Sequence, residues 1–106
     1  MAYEHVDFPA SFAALAAAGQ REQTTEIGGI NVRLVRVPAG SQGTWDRHDD
    51  STETVVVWSG DFTVDFRDAS LPLTAGQCCV VPVATDHKAR SVAGAEVVMS
   101  RPSHKA

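Results

Sequence analysis

The sequence predicts one all-β domain, a sandwich or barrel, with a single short helix near its N-terminus. Three observations carry that expectation. From Gln20 onward the apolar residues recur with a period of two in short runs, the mark of strands with one buried face. Turn residues separate those runs at regular intervals: Gly28-Gly29, Pro38-Ala39-Gly40, Ser59-Gly60, Arg67-Asp68-Ala69 and Ala93-Gly94. Short strands punctuated in this way build sandwiches and barrels. Finally, 106 residues suffice for one core and not for two.

The helix is expected from Pro9 to Gly19. Its Ala-rich stretch has high helix propensity, Ser11 is a candidate cap, and Gly19 is a stop. Phe12, Leu15 and Ala16 share one face at i, i+3, i+4 spacing, a packing stripe for the outside of a sheet. Gln20–Ile27 and Asn31–Val37 read as two strands of a hairpin turning at Gly28-Gly29. In the second, Val32 and Leu34 take one face, and Arg33, Val35 and Val37 the other. Glu53 opens a strand through Val55-Val56-Val57-Trp58 that is expected to stop at Ser59-Gly60. Phe62, Val64 and Phe66 alternate with Thr63 and Asp65. Leu71–Thr74 is a short strand whose Pro72 suits an edge or a bulge. A further strand follows Gly76 and is closed by Pro82, and Ala95–Arg101 ends the series. The expected division is 1–31 for the helix and strands that pack on the barrel, 32–102 for the barrel, and 103–106 for a tail, all in one domain.

Composition narrows the partners. Nine basic and thirteen acidic residues give a net charge of -4, with no Lys/Arg cluster, so no nucleic-acid partner is expected. The longest apolar runs fall far short of a membrane span. Glu4 and Asp7 near the start lack the pattern of a signal peptide. Cys78 and Cys79 are adjacent, closer than an ordinary disulfide prefers, so free thiols and a cytoplasmic location are expected.

Chemistry concentrates between Gly40 and Gly60. Asp46 and His48 are two apart, which on an extended segment puts both side chains on one face. Asp49, Asp50, Ser51 and Thr52 read as a turn, after which Glu53 opens the next strand. His87 follows the Pro82 strand after a short turn. Two carboxylates and two imidazoles converging beside an apolar wall are the usual setting of a divalent metal ion.

The spacing of these residues resembles the two motifs of the cupin superfamily, specifically its small single-domain members. That family's first motif reads Gly, five residues, His-x-His, three or four residues, Glu, six residues, Gly. The chain has Gly40, five residues, Asp46-x-His48, four residues, Glu53, six residues, Gly60. The second reads Gly, five residues, Pro-x-Gly, two residues, His, three residues, Asn. The chain has Gly76, five residues, Pro82-x-Ala84, two residues, His87, three residues, Ser91. Every spacing fits, and the departures are Asp46 for His, Ala84 for Gly and Ser91 for Asn. The likeness covers roughly residues 32 to 102 and implies a cupin-type jelly-roll barrel, a double-stranded β-helix.

It also implies a metal. Cupin ions are generally held by three His and one Glu, so the resemblance points to Asp46, His48, Glu53 and His87 around Fe, Mn, Zn or Ni. As a ligand, Asp46 makes the site formally neutral and favours harder ions. As a non-ligand, it leaves the two-His, one-carboxylate set of non-haem iron oxygenases. The alternative is a metal-free barrel whose polar residues hydrogen-bond one another. Cys78 and Cys79 point to opposite faces, so at most one can look into the barrel, where a small buried hydrophobe is expected over a ligand or reactive thiol. Packing or interface roles are expected for Trp45 and Trp58. Arg36, Arg47, Arg90 and Arg101, with His5 and His104, read as solvated surface.

Functionally, the resemblance implies a metal-binding cupin with a small polar metabolite as ligand or substrate. Isomerase or lyase chemistry, or dioxygenase chemistry on iron, would follow if the chain is an enzyme. A non-catalytic binding or sensor module and a metal-free structural barrel stand beside that reading. A homodimer is expected from the apolar outer face of the Val55–Trp58 strand and from N-terminal strands able to extend a neighbour's sheet.

Overall fold

One strand belongs to both sheets of this molecule. In chain order the elements are α1 (Phe8–Ala17), β1 (Glu22–Ile27), β2 (Ile30–Val37), β3 (Glu53–Phe66), β4 (Ser70–Thr74), β5 (Cys78–Val81), β6 (His87–Arg90) and β7 (Ala95–Pro102). The computed structural model describes residues 3–103, so His104 and the end of the expected tail lie outside the described residues. All pairings are antiparallel. The first half of β3 lies between β7 and β5 in a sheet that continues through β2 to β1. Its second half lies between β4 and β6 in the opposing sheet.

The expected stop at Ser59-Gly60 is therefore a corner inside one 14-residue strand. Pairing with β7 slips between Val57 and Ser59, a bulge that bends and twists the strand. Gly60 then takes φ 83°, and a Cβ there would overlap the Gly94 carbonyl oxygen. Only glycine allows both the left-handed backbone and that approach. A straight strand of this length would part its ends by roughly 45 Å. Instead Phe66, at the far end, pairs with His87, whose imidazole lies 4.0 Å from the carboxylate of Glu53 at the near end. The strand doubles back, and both ends meet at the mouth of the barrel.

Val55, Val57, Phe62, Val64, Leu73, Cys79, Val81, Ala95 and Val97 fill the interior below that mouth. They come from alternate positions on four strands, β3, β4, β5 and β7, as two facing sheets require. Outside, Phe12 and Leu15 of α1 are buried against Val32, Leu34 and Val98, each contributing about 2 kcal/mol of apolar burial. Ala16, expected on that stripe, is exposed, because the contact follows the narrower i, i+3 line. The cap is Asp7 and not Ser11: the Asp7 carboxylate accepts from Ala10 N at 3.0 Å. Ser11 sits one turn inside and donates its hydroxyl to Asp7 O at 2.9 Å. Gly28 and Gly29 turn the β1–β2 hairpin with φ 58° and 78°, the positive pair of a type I′ turn. Among the described residues, no helix is long and apolar enough to cross a membrane.

Candidate metal centre

The segment carrying Asp46 and His48 is not a regular strand. Two isolated bridges, Gln42 to Arg90 and Asp46 to His87, lay it along β6. Asp46 N donates to His87 O at 2.8 Å and His87 N to Asp46 O at 3.0 Å, so the two backbones lock together. His48 is fixed from the other side, where its carbonyl accepts the Ala84 N–H at 2.7 Å. Ala84, at the position where the cupin pattern has Gly, adopts φ 58°. Ser91, at the Asn position, is buried and helps close the turn to β7: its hydroxyl donates to Asp61 at 3.3 Å and accepts from Gly94 N at 2.9 Å.

All four expected ligands line one cavity of about 130 Å³, walled below by Val55, Phe62, Val64, Val81 and Met99. Asp46, His48 and His87 each offer a donor atom within 4.8 Å of the others. His48 Nε2 lies 3.9 Å from Asp46 Oδ2 and 3.6 Å from Glu53 Oε2, and His87 Nε2 lies 4.0 Å from Glu53 Oε1. Glu53 and His87 are buried, His48 is half-buried, and Asp46 sits exposed at the rim.

The ring nitrogens define what the space can hold. His87 Nδ1 is 3.0 Å from the Thr85 carbonyl, which can only accept. Nδ1 therefore carries a proton, and in the neutral ring the lone pair is on Nε2, 4.0 Å from Glu53 Oε1. His48 Nδ1 is 3.3 Å from Arg101 Nη1, which can only donate. In the neutral ring its proton is then on Nε2, which has to surrender it before serving as a ligand. Glu53, with 7% of its side chain exposed, has no hydrogen bond among the described residues. Its separations from the imidazoles are too long for hydrogen bonds. They fall between the roughly 3.4 Å of tetrahedral neighbours and roughly 4.2 Å of opposed donors around an ion with bonds of about 2.1 Å. A buried carboxylate and an imidazole lone pair facing one another fit a divalent cation.

Arg101, read from sequence as surface, is a correction: besides His48 it approaches Asp50 at 4.0 Å. Arg90 grips Asp65 at 2.9 Å, and the pair holds the Asp65 carboxyl below its ordinary range. Arg33, which no motif marked, lines the cavity; its place on the inward face of β2 was the available signal. Trp45 carries the Arg67 guanidinium at 3.8 Å, with Lys88 Nζ at 5.0 Å. Cys78 is exposed and Cys79 buried. Burial pushes the Cys79 thiol up, which suits a core residue and not a ligand.

A doubly sheeted barrel with imidazoles and carboxylates at its mouth defines the class. The cupin domain family model matches residues 33–100, and the chain belongs to that family. No curated protein matches the chain. Among solved structures, a protein from Neisseria meningitidis is similar over 94% of this chain and 100% of its own, at 25% identity and a TM-score of 0.82. A cupin-2 domain containing protein from Shewanella frigidimarina aligns over 92% and 94%, at 24% identity and 0.79. KdgF from a Halomonas species aligns over 78% and 80%, at 20% identity and 0.68. The likeness to the last two is one of fold.

Proposed function

We propose that this chain is a divalent-metal-binding cupin that takes a small polar metabolite into its barrel. The observation that carries the reading is Glu53, a buried carboxylate with no hydrogen bond among the described residues, set 3.6 Å from His48 Nε2 and 4.0 Å from His87 Nε2. Leaving a buried carboxylate without a cation or donors costs several kcal/mol. His87, Glu53 and His48 hold the ion, and Asp46 closes the set from the rim. Two carboxylates neutralise a divalent charge and bias the site toward harder ions. When bound, such an ion supplies Lewis-acid polarisation of a carbonyl or hydroxyl oxygen. Asp46, at the solvent end, is the carboxylate placed to take or return a proton.

Metal analysis of protein purified without added metal, followed by calorimetric titration with Mn, Zn and Ni, tests this reading. The expected result is about one ion per chain, with binding lost in His87→Ala while circular dichroism and cooperative unfolding persist. A wild-type protein that carries and binds none of these ions sinks it.

The exposed outer residues Trp58 and Val80 and the open edge of β1 support a homodimer. Light scattering at micromolar concentration checks this, and a monomeric mass excludes it. The unpaired thiols support a cytoplasmic location.

A further inference from the structure

We propose that the metabolite is a small carboxylate and that Arg33 is the residue that receives it. Arg33 lies on the inward face of β2, beside Met99 of β7. It lines both the 130 Å³ cavity of the metal centre and a neighbouring space of about 170 Å³ that shares Glu53 and Met99. The other arginines at this end of the barrel have acid partners: Arg101 has Asp50 and Arg90 has Asp65. Arg33 has none. Its one polar contact among the described residues is Nη2 donating to Met99 Sδ at 3.1 Å, a weak acceptor. A half-buried guanidinium with five donors and no anion is a binding group that lacks its ligand.

Charge balance gives the sign of that ligand, and this step rests on the metal reading above. Asp46 and Glu53 offset a divalent ion, which leaves the cations of the lining, Arg33 and Lys88, in surplus. Lys88 has its Nζ 5.0 Å over the Trp45 ring, so Arg33 is the cation without such a partner. The matching group is an anion, and a carboxylate fits the planar fork through two parallel hydrogen bonds. Phosphate lacks that planar match and would press its charge on Glu53. Size bounds the rest: a cavity near 150 Å³ holds about six non-hydrogen atoms, so 130 Å³ admits an acid of about two to four carbons. Its carboxylate lies on Arg33, its carbon chain on Val55 and Phe62, and a second oxygen reaches toward His87 and Glu53.

Calorimetric titration of the full chain, metal-loaded and chelator-stripped, with formate, acetate, lactate, lactamide and inorganic phosphate is the test. Lactate is expected to bind the loaded protein at least about tenfold more tightly than lactamide, because the neutral amide gives up the charged pair. Arg33→Gln is expected to weaken lactate binding at least about tenfold while metal affinity stays within about twofold. Arg33→Lys, which keeps the charge but not the fork, is expected to fall between them. Failure of all three carboxylates to bind, equal binding of lactate and lactamide, or lactate affinity unchanged in both Arg33 variants overturns the proposal. So does phosphate binding in preference to lactate. Metal binding with lactate indifferent to Arg33 removes this inference and spares the metal centre. Arg33-dependent lactate binding in a protein that takes no metal does the reverse.

Discussion

Glu53→Gln separates the metal-bound and metal-free energetics of this barrel because it is expected to move them in opposite directions. In the absence of an ion the wild-type carboxylate sets Oε1 against the His87 lone pair at 4.0 Å and Oε2 near the His48 Nε2 proton at 3.6 Å. Solvent does little to screen it, since 7% of the side chain is exposed. A glutamine of the same shape can turn its NH2 toward His87 and its oxygen toward His48, close polar neighbours at 4.0 and 3.6 Å. It also removes a buried charge that no hydrogen bond compensates. Together these stabilise the metal-free protein by about 1–3 kcal/mol, a rise in melting temperature of roughly 5–15 °C for a domain of this size. The same substitution deletes an anionic ligand and is expected to weaken metal binding at least about 100-fold, or about 2.8 kcal/mol. Thermal denaturation by circular dichroism, with chelator and with saturating Mn, measures both arms. A chelated variant less stable than wild type, with metal affinity unchanged, would falsify the assignment of Glu53.

Asp46→His restores the usual cupin donor set and is expected to retain metal with a shift toward softer ions, whereas Asp46→Ala is expected to weaken binding. Unchanged affinity and selectivity in both, by competitive titration, would show that the rim carboxylate never touches the ion. Ala84→Gly relieves a left-handed backbone at φ 58°; the conformational gain outweighs the extra freedom of glycine in the unfolded chain by about 0.5–1 kcal/mol. Chemical denaturation should show that increase, and a loss of stability contradicts it. Asp61 accepts from Ala93 N at 2.7 Å and Val92 N at 2.9 Å, and these backbone donors hold its carboxyl below the ordinary range. A depressed native pKa means that its contribution is present above the unfolded value, near pH 4, and is lost as pH falls through the native one. Stability of Asp61→Asn should therefore decline less steeply than wild type below about pH 4, and parallel curves would refute the linkage.

The strand content was legible because it rests on backbone periodicity, and the candidate ligands because their spacing matches the two cupin motifs. Phe62 and Val64 face inward, and Asp46 and His48 line one cavity, because an extended chain presents alternate residues to one side. What periodicity does not report is where a chain turns while remaining paired. Ser59-Gly60 carries an ordinary turn signal, and only the approach of Gly94 shows that the turn is a corner within β3. Arginines were hard for a related reason. Arg33 and Arg101 sit in phase with the inner face of their strands, but an arginine is ordinarily solvated. Their place beside Met99 and His48 follows from the register of β2, β7 and β3, which no local pattern encodes. The helix cap was ambiguous because Asp7 and Ser11 are one turn apart, and Pro9 tolerates either start.

The corner at Gly60 also makes β3 a pair of tongs. Glu53 is on one jaw, and His87 is held to the other through its pairing with Phe66. Each arm is six or seven residues long, roughly 20 Å at about 3.3 Å per residue. At that reach, one degree of opening at the pivot moves the tips by about 0.35 Å, more than the roughly 0.2 Å over which metal–ligand distances are tolerated. Packing around Gly60, Gly94 and Ala95, far from any donor atom, therefore sets the bite of the site. An ion gripped between the tips would in turn stiffen the pivot. Substitutions at the closed end of the barrel should thus be readable as changes in metal preference at the open end.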